Sequence, residues 1–298
     1  VAADLPTLPR RPVTDDEVET FWRDGVVCLR QVMPTAWLDA MAEVVDEALA
    51  SSVSADLSQM GDDLEAHLDA VRTVDPSIRD ADRPRGRFTA GTDHWREMTA
   101  FADFALRSPL GPIVALLLRS EHVRLYEDSL LVKEPGTQEK TAFHQDMAYF
   151  HLAGDQVCTS WVPLDPVTAE SGSVRFVVGS HLDRTRYRPN LFVTTMAIPG
   201  TEGADVPDYD DEIVAGDARI VSFDTEPGDI TVHHARTIHG AHANASATRR
   251  RRAISVRYAG DDAVFSTVPG SPAKAHHAEL REGEPLDPVV CPLAWPRG

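Results

Sequence analysis

The chain has 298 residues, 42% of them hydrophobic and 26% charged, enough to bury one sizeable core or two smaller ones. No run approaches the ~20 apolar residues that span a bilayer. The 29 basic and 47 acidic side chains leave a formal charge of −18, a field that repels nucleic acid and anionic membranes. Cys28, Cys158 and Cys291 stand far apart with no CxxC spacing, which argues against a disulfide framework or zinc knuckle. Residues 1–12 lack the apolar core of a secretion signal. A soluble, cytoplasmic protein is expected, with neither nucleic acid nor membrane as partner.

After a proline-rich leader, Thr14 and Glu17 have the spacing of a capping box, and Val18, Phe21 and Trp22 follow at helical spacing. A helix starts there and Gly25 ends it. Residues 26–32 read as a strand, and residues 37–49, with Leu38, Met41, Val44, Val45 and Ala48 on one side, as a second helix. Residues 51–80 are weakly periodic and rich in Asp and Ser, whereas residues 98–119 again look helical.

From His122 onward the chain turns to short β-rich runs, at 123–133, 158–164, 173–178, 219–223, 230–233 and 253–258. Pro135-Gly136, Gly154-Asp155, Ser171-Gly172, Gly179-Ser180 and Pro227-Gly228 separate them, the many-short-strands pattern of a sandwich or jelly roll. The expected fold is mainly β with flanking α-helices, a single domain over 1–298. Residues 1–120 form a helical scaffold and first strand, 121–260 a jelly-roll core, and 261–298 a C-terminal extension. An insertion at about 182–217 is polar and acidic, with Asp205, Asp208, Asp210, Asp211 and Glu212 close together, and loops of this length are commonly lids or disordered. No heptad seam or exposed apolar strip marks an interface, so no oligomeric state is assigned.

Residues i and i+2 of an extended chain face the same way, so His144 and Asp146 can converge on one ion. An HxD pair alone arises by chance in many proteins. The turn at Gly228-Asp229 and the β-rich run ending at His239 supply a third donor. Two imidazoles and one carboxylate on one face of an octahedral ion leave adjacent positions open, which suits non-haem iron(II) and O2. Zinc hydrolysis usually needs only one open position.

The sequence resembles the phytanoyl-CoA dioxygenase-like branch of the iron(II)/2-oxoglutarate oxygenases over most of its length. The matching stretches begin with Phe143-His144-Gln145-Asp146, Tyr149-Phe150, Trp161-Val162-Pro163-Leu164-Asp165, Glu170-Ser171-Gly172-Ser173 and Val178-Gly179-Ser180-His181. Gly228-Asp229, His234, His239-Gly240, Asn244, Ser246, the arginine run 249–252 and Ala253-Ile254-Ser255 complete them. The resemblance implies a double-stranded β-helix (cupin-like jelly roll) that holds Fe(II) through His144, Asp146 and His239 and uses 2-oxoglutarate and O2.

It also implies an arginine that opens the last core strand and binds the distal carboxylate of 2-oxoglutarate. Family spacing from His239 points to Arg250. Alignment on the strand points to Arg251, which is preferred because Arg251, Ala253 and Ser255 then share one face and Arg250, Ile254 and Val256 the other. Trp161 matches a position beside the cosubstrate, and equally reads as a core aromatic. Ala241 stands where relatives often carry a serine.

The resemblance implies that the carboxylate of Asp146, which related halogenases replace by a small residue, favours hydroxylation over halogenation, with desaturation, epoxidation and ring formation left open and 2-oxoglutarate converted to succinate and CO2. If the acidic stretch covers the site it repels the phosphates of an acyl-CoA, which points to a small-molecule substrate such as an amino-acid derivative or natural-product intermediate. The competing reading is a cupin-like metal- or ligand-binding module without oxygenase activity. His151, His181, His233, His234 and His242 lie near the motifs without their spacing and are expected to make structural hydrogen bonds.

Overall fold

The computed structural model describes residues 5–58 and 86–297, so most of the Asp- and Ser-rich stretch at 51–80 lies outside the described residues. Helix α1 (Asp15–Asp24) begins at the capping box, where the Glu17 N–H donates to Thr14 Oγ1 at 3.2 Å and the Thr14 N–H to Glu17 Oε2 at 2.9 Å. Gly25 ends it at φ 79°, a left-handed conformation that glycine adopts without steric cost. Strand β1 (Val26–Leu29) is shorter than the sequence pattern suggests, because Gln31 turns the chain at φ 52° and gives its N–H to the Asp229 carboxylate.

Helix α2 (Thr35–Leu49) follows, then a short α3 (His94–Glu97). The helical stretch expected at 98–119 is two helices, α4 (Thr99–Arg107) and α5 (Leu110–Leu118). Pro109 lacks an N–H and forces Ser108 out of the helical region, to ψ 169°, so the break falls between them.

Two antiparallel sheets, open at their edges, make the jelly roll. The larger runs in spatial order β1, β10 (Ile230–His234), β7 (Val157–Pro163), β12 (Arg251–Ala259), β4 (Val123–Lys133), β3 (Phe88–Thr92) and β2 (Ser54–Asp56). β14 (Leu293–Trp295) also pairs with β4. The smaller runs β5 (Thr141–His144), β11 (His239–Ala241), β8 (Val174–Val177) and β9 (Ile220–Ser222). The β-rich run leading to His239 is thus two strands in different sheets, with the chain crossing over between His234 and His239.

The helices bury Phe21, Trp37, Met41, Phe101 and Phe104 against one face of the larger sheet, to which β12 contributes Ile254, Val256 and Tyr258. Each such side chain contributes roughly 1.5–3 kcal/mol, so the helical layer clamps the sheet. Strand alternation leaves Arg251, Ala253, Ser255 and Arg257 on the other face, toward the smaller sheet. Phe265, Leu280, Leu286 and Cys291 of the C-terminal extension form a second core with Tyr126 and Phe150. No single helix among the described residues is long and apolar enough to cross a membrane.

Candidate metal centre

His144 and His239 are paired across β5 and β11, so the sheet ladder itself sets the two imidazoles side by side, ring centroids 4.2 Å apart. Gly240 permits that approach: a Cβ there would lie 2.9 Å from the Thr141 carbonyl oxygen. β5 ends at His144, Gln145 stays extended, and Asp146 opens a 3-10 turn. The extended Gln145 turns its own side chain away, to the Arg236 carbonyl at 2.6 Å, and leaves Asp146 on the side of His144. The ligand atoms of His144, Asp146 and His239 lie within 4.8 Å of one another, all three side chains buried.

Local hydrogen bonds fix which nitrogens face the centre. His144 Nδ1–H donates to the Ala142 carbonyl at 2.8 Å and His239 Nδ1–H to the Thr237 carbonyl at 2.9 Å. Both Nε2 atoms thereby face Asp146 Oδ1, at 3.6 and 3.8 Å. Burial pushes the Asp146 carboxyl up, but His239, His144, His233 and Arg257 outweigh it and hold the group well below the ordinary carboxylate range. Burial, with His233 and His144 alongside, holds His239 well below the usual imidazole value. Two imidazole nitrogens and a carboxylate oxygen, all buried and within 4.8 Å of one another, are a donor set that fits a divalent cation.

The other carboxylate oxygen is also spoken for. Asp146 Oδ2 accepts from Thr159 Oγ1 and from His233 Nε2, the latter at 3.2 Å. His233 thus makes a hydrogen bond, as expected of it, but to a candidate ligand, a role the sequence reading did not assign. The signal was present in β10, where alternation sends Ile230 and Val232 to the helices and Thr231 and His233 inward.

The three candidate ligands line one cavity together with Thr141, Trp161, Ala241, Arg251 and Ser255. Arg251 is 2% exposed, its guanidinium 5.9 Å from the Trp161 ring. Its one hydrogen bond among the described residues is a long one, 3.4 Å to the Leu131 carbonyl, and its buried Nε has no partner. Burial lowers it to about 10. A buried guanidinium with a vacant donor edge is a receptor for a carboxylate. Arg250 is turned the other way, ion-paired with Asp46 at 2.8 Å and Glu134 at 2.9 Å, and lines no part of this cavity.

The remaining motif residues hold the frame. Asp229 accepts from Gln31 N at 2.9 Å and Arg30 Nη1 at 2.8 Å, Asn244 donates to three backbone carbonyls, and Asp165 pairs with Arg252 at 2.7 Å. His181 hydrogen-bonds the Trp22 carbonyl at 3.0 Å. The acidic stretch does not line the cavity: Asp205 pairs with Arg188, and Asp210 with Lys140 and Arg175. The premise that this stretch covers the site is therefore corrected. From the same insertion it is Phe192 that reaches the centre, its ring 5.3 Å from that of His144 and its backbone at φ 67°. That conformation costs about 1–2 kcal/mol in a non-glycine residue. It is held by Phe192 N–H to Asn190 Oδ1 at 3.0 Å and Ala142 N–H to Phe192 O at 2.8 Å.

A jelly roll that gathers two imidazoles and a carboxylate around one point is the scaffold and donor set of the non-haem iron oxygenases. The chain matches the family model of phytanoyl-CoA dioxygenase (PhyH) over residues 21–253, and it belongs to that family. A probable alpha-ketoglutarate-dependent hypophosphite dioxygenase of Stutzerimonas stutzeri is 26% identical over 143 residues, 48% of this chain and 47% of that protein, so the match spans about half of the relative's length.

Among solved structures, the non-heme alpha ketoglutarate dependent carbocyclase SnoK from nogalamycin biosynthesis superposes with a TM-score of 0.67. It is 22% identical, and the match covers 97% of this chain and 99% of that one. The epimerase SnoN in complex with Fe3+, alpha ketoglutarate and nogalamycin RO superposes with a TM-score of 0.65 at 23% identity, covering 94% and 98%. EctD from S. alaskensis with 2-oxoglutarate and 5-hydroxyectoine gives 0.60 at 18% identity, covering 95% and 93%. These likenesses establish the fold.

Proposed function

We propose that this protein is an iron(II)- and 2-oxoglutarate-dependent oxygenase that hydroxylates an unactivated C–H bond of a small molecule, in a reducing cytoplasm where its three cysteines stay free. His144, Asp146 and His239 hold the iron, and Arg251 takes the distal carboxylate of 2-oxoglutarate with Trp161 alongside. The observation that carries the reading is the buried Arg251 guanidinium, whose Nε has no partner among the described residues, in the same cavity as the triad. When bound, iron would let O2 serve as the four-electron oxidant, two electrons coming from 2-oxoglutarate, which leaves as succinate and CO2, and two from the substrate C–H bond.

The protein's own part is positional. The Nδ1 hydrogen bonds of His144 and His239 hold both rings with Nε2 aimed inward. Thr159 and His233 fix one oxygen of Asp146 so that the other faces the imidazoles. The apolar lining from Leu131, Val174 and Phe192 keeps bulk water from the reacting atoms.

Anaerobic addition of iron(II) and 2-oxoglutarate is expected to give the visible charge-transfer band of the chelate, and admission of air to release succinate. His144→Ala and Asp146→Ala remove both signals. Absence of both from the fully metallated wild type overturns the reading in favour of a metal- or ligand-binding module. Product mass decides the finer step: gain of one oxygen atom supports hydroxylation, whereas ring closure or epimerisation, the reactions in the names of SnoK and SnoN, adds none.

A further inference from the structure

Two spaces meet at the triad. The first contains Arg251. The second lies beyond His144 and Asp146, has a volume of about 190 Å³, and is walled by Tyr149, Phe150 and Phe192 with Pro272 of the C-terminal extension. Drug-sized ligands occupy roughly 300–1,000 Å³, so this space admits something smaller.

Its polar end is a chain of alternating charges. Arg257 Nη1 lies 3.4 Å from Glu127 Oε1, Glu127 is ion-paired with Lys274, and Lys274 Nζ lies 2.6 Å from Asp93 Oδ2. Two cations and two carboxylates sum to zero. Arg257 is 8% exposed, spends Nη1 on Ser129 and Glu127, and keeps a buried Nε with no partner among the described residues. Asp128, the other carboxyl on this strand, pairs in register with Val256 and so faces the helical layer instead.

We infer that this second cavity is the substrate site and takes a small zwitterion of the α-amino-acid type, its carboxylate on Arg257 and Lys274 and its ammonium on Glu127. This rests on the proposed reading of the triad. A monoanion meets Glu127, and a monocation meets Arg257 and Lys274. An uncharged molecule strips water from the three members of this chain that line the cavity, Arg257, Lys274 and Glu127, and returns nothing. Only a compact inner salt matches both signs at once, with its carbon skeleton left against Tyr149, Phe150 and Phe192, beside His144 and Asp146.

The test uses the full chain loaded anaerobically with iron(II) and 2-oxoglutarate. The probes are L-leucine, L-isoleucine, L-methionine and L-phenylalanine, each beside its N-acetyl and carboxamide forms. Calorimetry reads binding, and succinate release after admission of air reads coupling. At least one free amino acid binds and raises succinate release above the background, and blocking either end weakens its binding by about tenfold or more, as expected when one partner of a buried charge pair is lost. Glu127→Gln and Lys274→Met raise its dissociation constant by a similar factor, while the charge-transfer band reports that each variant is folded and loaded.

Equal binding of the blocked forms, or no binding by any of the four amino acids to protein that gives the band, overturns the zwitterion site and leaves the oxygenase reading intact. Absence of both the band and succinate release from the fully metallated wild type overturns both.

Discussion

Replacing Arg251 by Met separates what the residue does for the ligand from what it does to the fold. The guanidinium is buried and ion-paired with no carboxylate among the described residues, and burial pushes it down to about 10. At about 1.36 kcal/mol per pK unit, holding that charge in place costs ~3 kcal/mol. The sign follows from the direction. A depressed cation loses stability as pH falls from the ordinary guanidinium range through about 10, so at neutral pH the penalty is complete and constant.

Methionine fills similar space without the charge, so Arg251→Met is expected to stabilise the protein without ligand by about 1–3 kcal/mol, read as a higher denaturant midpoint at unchanged slope. The same change deletes two charge-assisted hydrogen bonds to 2-oxoglutarate, worth roughly 1.5–3 kcal/mol each, so its affinity drops by at least ~100-fold. The assay is a titration of the anaerobic iron complex with 2-oxoglutarate, followed by its visible band. Arg250→Met breaks only a half-exposed pairing with Asp46 and Glu134, and is expected to change affinity by less than about twofold and stability by under about 1 kcal/mol. A destabilised Arg251→Met protein that still binds 2-oxoglutarate normally would refute the reasoning, as would a large loss of affinity in Arg250→Met.

His233→Phe keeps a ring in place but removes the donor to Asp146, and is expected to weaken iron affinity by about 10–100-fold in competition with a chelator; unchanged affinity would mean that Thr159 alone orients the carboxylate. Asp128 is buried with Oδ2 unpartnered, and burial raises it from 3.8 to about 7. Its neutral form stabilises the fold below pH ~4, and that stability, on the order of 4 kcal/mol, is lost as pH rises through 7. The advantage of Asp128→Asn over the wild type in urea is therefore expected to grow between pH 5 and pH 8, and a pH-independent difference would contradict it. Gly240→Ala forces β11 away from the Thr141 carbonyl, so the charge-transfer band should need far more iron to develop, with stability lower by about 1–3 kcal/mol.

The parts of the site that obey a short period were legible in the sequence. His144 and Asp146 two apart, and Arg251 in step with Ala253 and Ser255, needed only strand alternation. The break at Ser108-Pro109 was also written there, but the surrounding apolar residues masked it. What stayed hidden was long-range. Nothing local says that the run to His239 changes sheets, that Asp205 and Asp210 are spent on arginines and Lys140, or that Lys274 packs against Glu127. These pairings join segments that share no pattern, and only the packed chain brings them together.

Strand β12 is laddered along both edges, to β7 and to β4, and carries Arg251 and Arg257 on one face. Six residues at about 3.3 Å each make it a rail of ~20 Å whose two cationic posts cannot drift apart. Phe192 and Lys274, by contrast, belong to the insertion and the extension, outside that ladder. The proposed 2-oxoglutarate anchor is therefore fixed by a strand paired on both sides, whereas the proposed substrate cavity takes part of its wall from two segments that can change shape without disturbing that pairing.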